Sequence, residues 1–348
     1  MSDTKQHFAN LTPGKMRGLR QITDDKGCFR VLALDQSNSF RKALKQTHEI
    51  RGIEGDATHE EIRDAKLEFS SAIGVNASAV LMDVNFGLRQ AINGNAIPRG
   101  VGLLARLEAS RDPGTPGEIE PGWSVAQIKQ MGADAVKLLV HLDMGNEQAT
   151  EHQLSLARQV QKDCQDNDIL LLIEELSYKR PGEGDDDYAK RKVSNIIDAA
   201  GALGPIADIL KLEFPGDINK LSPSEVQDNL SALNDAAIRP WVLLSAGVDF
   251  DLFEKQVELA MKAGCGGIMA GRAIFKEWFL EKTPADSSAF SKNIGKPRFD
   301  KLCNLVAQHA TGWQKRLGIT DAELLNTFAP DWYTGGKRVA AVTGTGEY

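Results

Sequence analysis

Short apolar runs alternate with amphipathic segments along almost the whole chain, and this alternation leaves few possible folds. Eight runs have the length and composition of buried β-strands, at residues 29–35, 79–83, 100–107, 133–141, 169–174, 207–213, 241–246 and 267–271. Helical patterns lie between them, most clearly at 60–73, 124–131, 146–162, 188–202, 222–233, 251–262 and 298–317. Strands that alternate with helices indicate right-handed βαβ units and a parallel sheet. Eight such units in 348 residues predict an α/β fold, a closed (β/α)8 TIM barrel, with an open doubly wound sheet as the alternative.

The chain is predicted to form one domain, because its 42% hydrophobic content is sufficient for one full core and no linker divides it. Residues 45–57 are polar and are interpreted as an extension of the loop after the first strand. Residues 110–122, with three prolines and three glycines, are interpreted as the loop after the third strand. The assignment is therefore a single barrel domain over 1–348, with the barrel at about 24–320, an N-terminal extension and a flexible tail at 334–348.

Charge and cysteine content limit both the molecules that the protein is expected to bind and its expected location in the cell. The net charge of −7 disfavours nucleic acid and anionic membranes, although a local basic pocket could still bind a small anion. No apolar run reaches the ~20 residues of a membrane span. The four cysteines show no C-x-x-C spacing and the first residues are polar, which predicts a reducing, cytoplasmic location. Small-molecule chemistry is expected, in a homo-oligomer, because barrels of this kind often associate.

Polar residues late in the apolar runs are the candidates for a functional site, since the active site of such a barrel lies at the carboxyl ends of its strands. They are Asp35, Gln36, Asp83, Lys137, Glu174, Lys211, Ser245 and Arg272. Lys211 is the most informative. An unpaired ammonium in a buried parallel strand is costly, so this lysine must be paired, placed at the open end of the strand, or used in chemistry.

Two lysines in this set predict Schiff-base chemistry. Lys137 and Lys211, on the fourth and sixth strands, are expected to approach each other across the barrel mouth. Burial and a neighbouring ammonium both favour the neutral amine of a lysine, which can attack a carbonyl carbon. Lys211 is the predicted nucleophile, Glu174 the proton carrier, and Asp35 a group that holds Lys137 or orients substrate. The alternative for each is a structural ion pair. Glu175 is expected to point outward as a solvated or helix-facing carboxylate.

A phosphate site is predicted where the seventh and eighth strands end. Ser245 and Gly247 follow one strand, and Gly271 and Arg272 follow the other. Strands seven and eight of such barrels commonly bind phosphate through backbone N–H groups and a cation, and glycine permits the close approach. The alternative is that these glycines only end strands in tight turns.

Metal chemistry has little support in the sequence, and no cofactor is expected. His141 is the one histidine at a strand end, and no pair of histidines has metal-ligand spacing. The run Asp185-Asp186-Asp187 precedes a helix predicted to start near Tyr188, where negative charge favours the helix dipole.

Taken together, these segments resemble the class I tagatose 1,6-bisphosphate aldolase family, whose relatives include sulfofructose 1-phosphate aldolases. The resembling segments are Ala33-Leu34-Asp35-Gln36, Gly132 to Lys137, Ile173-Glu174, Asp208 to Glu213, Leu244 to Val248 and Ala270 to Ala273. The resemblance implies a Schiff-base lysine at Lys211, an acid/base glutamate at Glu174, a supporting pair at Asp35 and Lys137, and phosphate-binding turns at Ser245, Gly247, Gly271 and Arg272. Gln36 is expected to bind substrate. One departure is Ser37, where these aldolases often have arginine; Arg41 is the nearest basic residue on that segment.

The leading hypothesis is a metal-independent aldolase that cleaves a phosphorylated ketose, tagatose 1,6-bisphosphate, to dihydroxyacetone phosphate and glyceraldehyde 3-phosphate. A 6-deoxy-6-sulfofructose 1-phosphate aldolase is the alternative of the same class. A non-catalytic phosphosugar-binding regulator and a divalent-metal aldolase are two further hypotheses from different classes of function and mechanism.

Overall fold

A computed structural model describes residues 3–325, and the predicted tail at 334–348 lies outside them. Eight parallel strands close into a barrel in the order of the sequence. They are β1 (Phe29–Leu34), β2 (Ala79–Asp83), β3 (Gly102–Arg106), β4 (Ala135–Leu142), β5 (Leu170–Ser177), β6 (Ile209–Leu212), β7 (Trp241–Leu244) and β8 (Gly267–Ala270). Each lies within two or three residues of a predicted run, and the closed barrel, rather than the open sheet, is confirmed.

Helices surround the barrel and extend it at both ends of the described chain. They are α1 (Asp3–Ala9), α2 (Pro13–Gln21), α3 (Asn38–Arg51), α4 (His59–Ala72), α5 (Leu88–Asn93), α6 (Val125–Gln130), α7 (Glu147–Asp166), α8 (Asp185–Leu203), α9 (Pro223–Ala236), α10 (Phe250–Lys262), α11 (Arg272–Phe275), α12 (Pro284–Phe290), α13 (Lys296–His309), α14 (Trp313–Leu317) and α15 (Asp321–Leu325). Short 3-10 turns lie at Gly74–Asn76 and Lys276–Leu280, and a π-helical turn lies at Ser291–Gly295. Among the described helices, none has the length and apolarity needed to cross a membrane.

Side-chain alternation divides the apolar core into two layers. One face of each strand packs against the helices, and the other face fills the barrel interior with residues such as Val31, Leu81, Leu172 and Ile209. Above these residues, toward the carboxyl ends of the strands, the interior face becomes polar. The change follows from strand geometry, because residues two apart point the same way. The fold therefore collects strand-end polar side chains at one end of the barrel.

The opposite end of the barrel is closed by the N-terminal helices. Phe8 of α1 and Leu19 of α2 are buried against the interior layer, together with Trp313 of α14. Asp208, just before β6, accepts hydrogen bonds from Lys15 at 2.9 Å and from His7 at 3.0 Å. The N-terminal extension is thus part of the packed core, and it leaves the other end for chemistry.

The helix predictions hold in most places and are wrong in two. The polar stretch 45–57 is not a loop extension: most of it belongs to α3, whose buried face includes Leu44, Thr47 and His48. The predicted helix at 298–317 is two helices, α13 and α14, separated by residues 310–312. Helix α8 begins at Asp185, so the three aspartates form its first turn, as the dipole argument requires.

Candidate active site

A buried lysine lies at the centre of the polar cluster inside the barrel mouth. Nζ of Lys137 on β4 is 2.9 Å from Asp35 Oδ2, 2.6 Å from Glu108 Oε1 and 2.8 Å from Glu174 Oε2. Only 1% of its side chain is exposed. Three carboxylates therefore surround one buried ammonium, which donates a hydrogen bond to Glu108. The position of Lys137 is therefore fixed from three sides.

Glu174 joins Lys137 to the second lysine. Its Oε1 atom is 2.9 Å from Nζ of Lys211, while its Oε2 atom contacts Lys137. Glu174 on β5 and Lys211 on β6 are direct partners in the strand register, which places the two side chains next to each other on the interior face. The two predicted lysines are thus brought together, with one carboxylate between them.

The pKa values of the cluster follow from burial opposed by neighbouring charge. Burial acts to raise the pKa of Asp35 and of Glu174, but the ammonium groups of Lys137 and Lys211 outweigh it and lower both pKa values. Burial acts to lower the pKa of Lys137, and the surrounding carboxylates raise it instead. Burial prevails at Glu108, whose pKa is raised. At neutral pH the cluster therefore holds ionised Asp35 and Glu174 around a charged Lys137.

Two residues of this cluster, Arg106 and Glu108, were missed by the sequence reasoning. Arg106 ends β3 beside Lys137 in the register, and its Nη1 donates to the carbonyl of Asp35 at 2.9 Å. Glu108 accepts from Lys137 and, through Oε2, from the backbone N–H of Leu139 at 3.0 Å. Both stand at the end of the third apolar run, so the criterion that selected the other strand-end residues applies to them equally.

The predicted phosphate-binding residues lie together on the β7–β8 side of the mouth. The backbone N–H of Gly271 faces Ser245 Oγ at 3.4 Å. Gly247 has φ +79°, a conformation that favours glycine, and a Cβ there would be 3.3 Å from the guanidinium carbon of Arg272. Gln36 lies next to them, since a Cβ on Gly271 would be 2.9 Å from its Nε2. The buried hydroxyl of Ser245, the backbone N–H of Gly271 and the exposed side chain of Arg272 thus lie close together.

One cavity of about 570 Å³ is lined by the lysine cluster together with Gln36 and Arg272. Lys211, Glu174, Lys137 and Asp35 lie along it, and Arg272 lies at its edge. The charged residues that line it include seven basic and four acidic side chains, although the chain as a whole carries a net charge of −7. An excess of positive charge in a cleft attracts anionic ligands. The volume is ordinary for a small-molecule site.

Other polar candidates lie outside this cluster or at its margin. Asp83 is buried in an ion pair with Lys66 and accepts from the N–H groups of Asn85 and Phe86, which ties down the end of β2. Glu175 faces the helix layer and is fully buried, so the helix-facing form of the prediction is right and the solvated form is wrong.

His141 lines the cavity, and burial lowers its pKa. Within residues 3–325, no group of three or more His, Cys, Asp or Glu side chains is arranged to hold a metal ion.

Comparison with known proteins identifies the family of the chain. A family model described as "DeoC/LacD family aldolase" matches residues 31–277, which is most of the chain and extends from within β1 to beyond β8. The chain belongs to the DeoC/LacD family of aldolases. This aldolase is therefore an enzyme of the lyase class, and the tagatose-bisphosphate-aldolase resemblance of its sequence is confirmed at the level of the family.

Named relatives cover nearly the full length of this aldolase. Tagatose 1,6-diphosphate aldolase 1 of Enterococcus faecalis is 28% identical over 323 residues, which is 86% of this chain and 97% of the relative. A tagatose 1,6-diphosphate aldolase of Streptococcus agalactiae is 27% identical over 334 residues, 88% of this chain and 99% of the relative.

Solved structures show the same fold at lower sequence identity. A fructose-bisphosphate aldolase from Slackia heliotrinireducens has a TM-score of 0.59 at 15% identity and covers 88% of this chain and 92% of its own. An archaeal fructose 1,6-bisphosphate aldolase has a TM-score of 0.54 at 18% identity, covering 82% and 99%. The (β/α)8 barrel of this aldolase is thus shared with aldolases of known structure.

Proposed function

We propose that this aldolase cleaves a phosphorylated ketose, tagatose 1,6-bisphosphate, by a Schiff-base mechanism in which Lys211 is the nucleophile. The contact between Lys211 and Glu174 on the floor of a positively charged cavity carries the proposal. A primary amine beside a carboxylate can lose its proton and regain it within one hydrogen bond, which a carbonyl addition requires. The relatives named tagatose 1,6-diphosphate aldolases support this choice of substrate.

Carbon–nitrogen bond formation is the first step. Nζ of Lys211 attacks the C2 ketone, and the ketone oxygen takes up a proton to give a carbinolamine. The carbinolamine loses its hydroxyl group and an Nζ proton as water, which leaves an iminium at C2. Glu174 carries these protons, since its Oε1 is 2.9 Å from the amine. Lys137, on the other oxygen of Glu174, remains charged because the carboxylates around it raise its pKa.

Carbon–carbon cleavage then uses the iminium as an electron sink. The C3–C4 bond breaks, its electron pair moves to the iminium to form an enamine, and the C4 hydroxyl loses its proton and becomes an aldehyde. A proton returns to C3, and water hydrolyses the new iminium to release dihydroxyacetone phosphate and free Lys211. Glyceraldehyde 3-phosphate is the other product. Ser245, Gly247, Gly271 and Arg272 hold the C1 phosphate beside β7 and β8, which fixes C2 over Lys211.

Borohydride trapping tests the mechanism directly. Reduction of enzyme and substrate together should leave a stable adduct, and peptide mapping should place it on Lys211. Replacement Lys211→Met should abolish the adduct and lower kcat by at least about 10³-fold, because the covalent route is lost. The same experiment measures the cleavage rates of tagatose and fructose 1,6-bisphosphates, each with and without a chelator. For either substrate, we expect the chelator to leave the rate unchanged.

Lys192→Met is the matched control, because Lys192 is a mostly buried lysine paired with Glu213 at 2.5 Å on the far side of the strands. It should keep both the adduct and the cleavage activity. An adduct on Lys137, or full activity in Lys211→Met, would show that the proposed nucleophile is wrong.

A further inference from the structure

His141 lines the cavity that contains Lys211, and the catalytic steps above give it no role. It is the third of three β4 residues on the interior face, after Lys137 and Leu139, and all three line this cavity. The residue is partly buried, and neither ring nitrogen has a hydrogen-bond partner within residues 3–325. A free imidazole in a reaction cavity is available to a bound substrate.

The strand register gives the height of His141 above the reacting lysine. Leu139 is the register partner of Glu174, and Glu174 is the partner of Lys211. His141 is two residues further along β4, so its Cα lies about 6.6 Å nearer to the open end of the barrel. Lys211 and His141 therefore occupy successive levels of one cavity, with the lysine toward the floor.

The proposed substrate extends from Lys211 toward the side of the cavity that β4 forms. β4 lies opposite β8 in the closed ring of eight strands. A ketose with C2 at Lys211 and its C1 phosphate at β7–β8 extends its remaining carbons away from β8. Its C4 hydroxyl is two carbons beyond C2, which brings this group up from the floor toward the level of the imidazole.

Cleavage of the C3–C4 bond needs a base for the C4 hydroxyl, and the carboxylates of the lysine cluster are already engaged. Asp35, Glu108 and Glu174 each have an oxygen within 2.9 Å of Nζ of Lys137. The neighbouring ammonium groups lower the pKa of Asp35 and of Glu174, which makes both weak bases. Glu108 has both oxygens in hydrogen bonds. The cluster therefore leaves the proton of the C4 hydroxyl to another group.

The surroundings of His141 favour its neutral form. Burial lowers its pKa, and the charge of Lys137 acts in the same direction, although Glu174 on β5 opposes them. The other titratable groups against the ring are Tyr178, whose ring centre is 6.5 Å away in a T-shaped contact, and His152 of α7, which shares a small cavity of about 50 Å³ with it. Residues 114–116 of the loop after β3 also line this cavity and carry no charge. At neutral pH the imidazole thus has a nitrogen lone pair that can accept a proton.

We propose that His141 is the base that takes the proton of the C4 hydroxyl when the C3–C4 bond breaks. The inference rests on the proposed function and assigns a step that it leaves open. The electron pair of the O–H bond forms the C4 carbonyl, the pair of the C3–C4 bond moves to the iminium to give the enamine, and the imidazole becomes an imidazolium. After the aldehyde leaves, the imidazolium gives its proton to water at the open end of the cavity.

The test compares two partial reactions in one variant, His141→Gln. Cleavage of the ketose bisphosphate should fall by about 10²-fold or more in kcat, because its base is lost. Exchange of the C3 hydrogen of dihydroxyacetone phosphate in D2O, followed by NMR, uses Lys211 but no C4 group and should stay within about threefold of the wild type. Borohydride should still trap the substrate on Lys211, and mass spectrometry should find the uncleaved six-carbon adduct in place of a mixture with the three-carbon one.

The pH profile gives a readout that a purely structural role would not change. A general base works only when it is deprotonated, so the wild-type kcat should fall as the pH drops through the folded pKa of His141, which lies below its ordinary value of about 6.5. Asp35 and Glu174 stay ionised in this range because their pKa values are lowered. The acidic limb of the profile should therefore be absent from His141→Gln.

His152→Gln is the matched control. His152 lines the same small cavity as His141, but its Nε2 lies 3.3 Å from the carbonyl oxygen of Gly117. This variant should keep the cleavage rate, the exchange rate and the acidic limb. Asp112→Asn tests another base of the large cavity, which is exposed on the loop after β3. If the loss of cleavage and of the acidic limb appears in Asp112→Asn and not in His141→Gln, the assignment of the base is wrong.

The remaining outcomes separate this inference from the proposed function. Equal losses of cleavage and of exchange in His141→Gln would mean that the residue only supports the site, and the proposal would be overturned. Retention of more than a tenth of the wild-type kcat with an unchanged pH profile would overturn it too, while the Schiff-base function would stand. A wild-type enzyme that forms no borohydride adduct and cleaves no ketose phosphate would refute the proposed function, and the role of His141 with it.

Discussion

Glu174 couples the two lysines of this aldolase through its two oxygens. Lys211 lies on one oxygen and Lys137 on the other, and Asp35 and Glu108 hold Lys137 from the remaining sides. A proton that moves between Lys211 and Glu174 therefore moves beside a cation that keeps its charge. Such a fixed charge stabilises the ionised carboxylate without needing to reorganise during the reaction.

Glu174→Gln should lower kcat by about 10²- to 10⁴-fold with a much smaller change in KM, because the amide cannot carry a proton. Steady-state kinetics on the bisphosphate measures both. The matched control is Glu175→Gln, the same change one residue away on the opposite face of β5, which should keep its activity. Retention of more than a tenth of the wild-type kcat by Glu174→Gln would mean that another group moves the proton.

The sequence predicts the members of this cluster better than it predicts their contacts. Asp35, Lys137, Glu174 and Lys211 could be recognised because each is polar at the end of an apolar run. Arg106 and Glu108 satisfy the same rule and were missed because the third run ends in a long polar loop that obscures its boundary. The contact between Glu108 and Lys137 depends on the tilt of the strands and the radius of the closed barrel. A pattern along the sequence does not contain this information.

At the scale of the element, β5 carries two adjacent carboxylates with opposite roles. Alternation turns Glu174 into the barrel and Glu175 toward α8, where Ser177 donates to its Oε1 at 3.1 Å. Oε2 of Glu175 is buried and has no hydrogen-bond partner within residues 3–325. Burial, and then the nearby carboxylate of Glu213, raise the pKa of Glu175 well above its usual value, although Lys192 opposes the shift. The folded environment of this carboxyl group therefore favours its neutral form.

Glu175→Gln should make the protein more stable than the wild type as the pH rises. A carboxyl group with a raised folded pKa stabilises the fold below its unfolded pKa of about 4.3, and this contribution is lost as the pH rises toward the folded pKa. Glutamine has no proton to lose and so cannot become a buried anion; the variant should therefore be about 1–3 kcal/mol more stable than the wild type at about pH 8. Urea unfolding between about pH 5 and pH 8 measures the difference, and a difference that does not change with pH would contradict the assignment of a neutral Glu175.

Element boundaries show where local patterns stop being informative. The strands are predicted well because each is a short run of apolar residues with a clear end. Helix α3 escapes prediction because its exposed face is almost wholly polar, and its buried residues include Thr47 and His48. Thr47 is satisfied by donating to the carbonyl of Phe279 at 2.7 Å, a contact with a distant part of the chain. Only the tertiary structure makes such a residue part of a core.

At the scale of the whole molecule, the barrel closes where β8 pairs with β1. Phe29 and Gly267 are partners in this register, and Gly267 has φ +149°. A Cβ on Gly267 would overlap the backbone of Phe29. Glycine is therefore required at this point for β1 and β8 to approach each other.

Gly267→Ala should destabilise the protein by about 3 kcal/mol or more, or abolish soluble expression, because the backbone at the β1–β8 junction must move. Gly201→Ala is the matched control: Gly201 is exposed within α8, with open space around its Cβ position, so the same change should stabilise by up to about 1 kcal/mol. Denaturant unfolding of the two variants compares them. A Gly267→Ala protein as stable as the wild type would show that the junction tolerates a side chain.

The β1–β8 pairing also sets the order in which the site can be completed during synthesis. Asp35 directly follows β1, which is made before the other strands of the barrel, whereas β8 is the last strand of the barrel to leave the ribosome. Until β8 emerges, one edge of β1 has unpaired backbone N–H and C=O groups. Such an edge can pair with the strands of other chains. Nascent chains of this aldolase should therefore depend on chaperones for longest at their earliest strand, which bears the aspartate that holds Lys137.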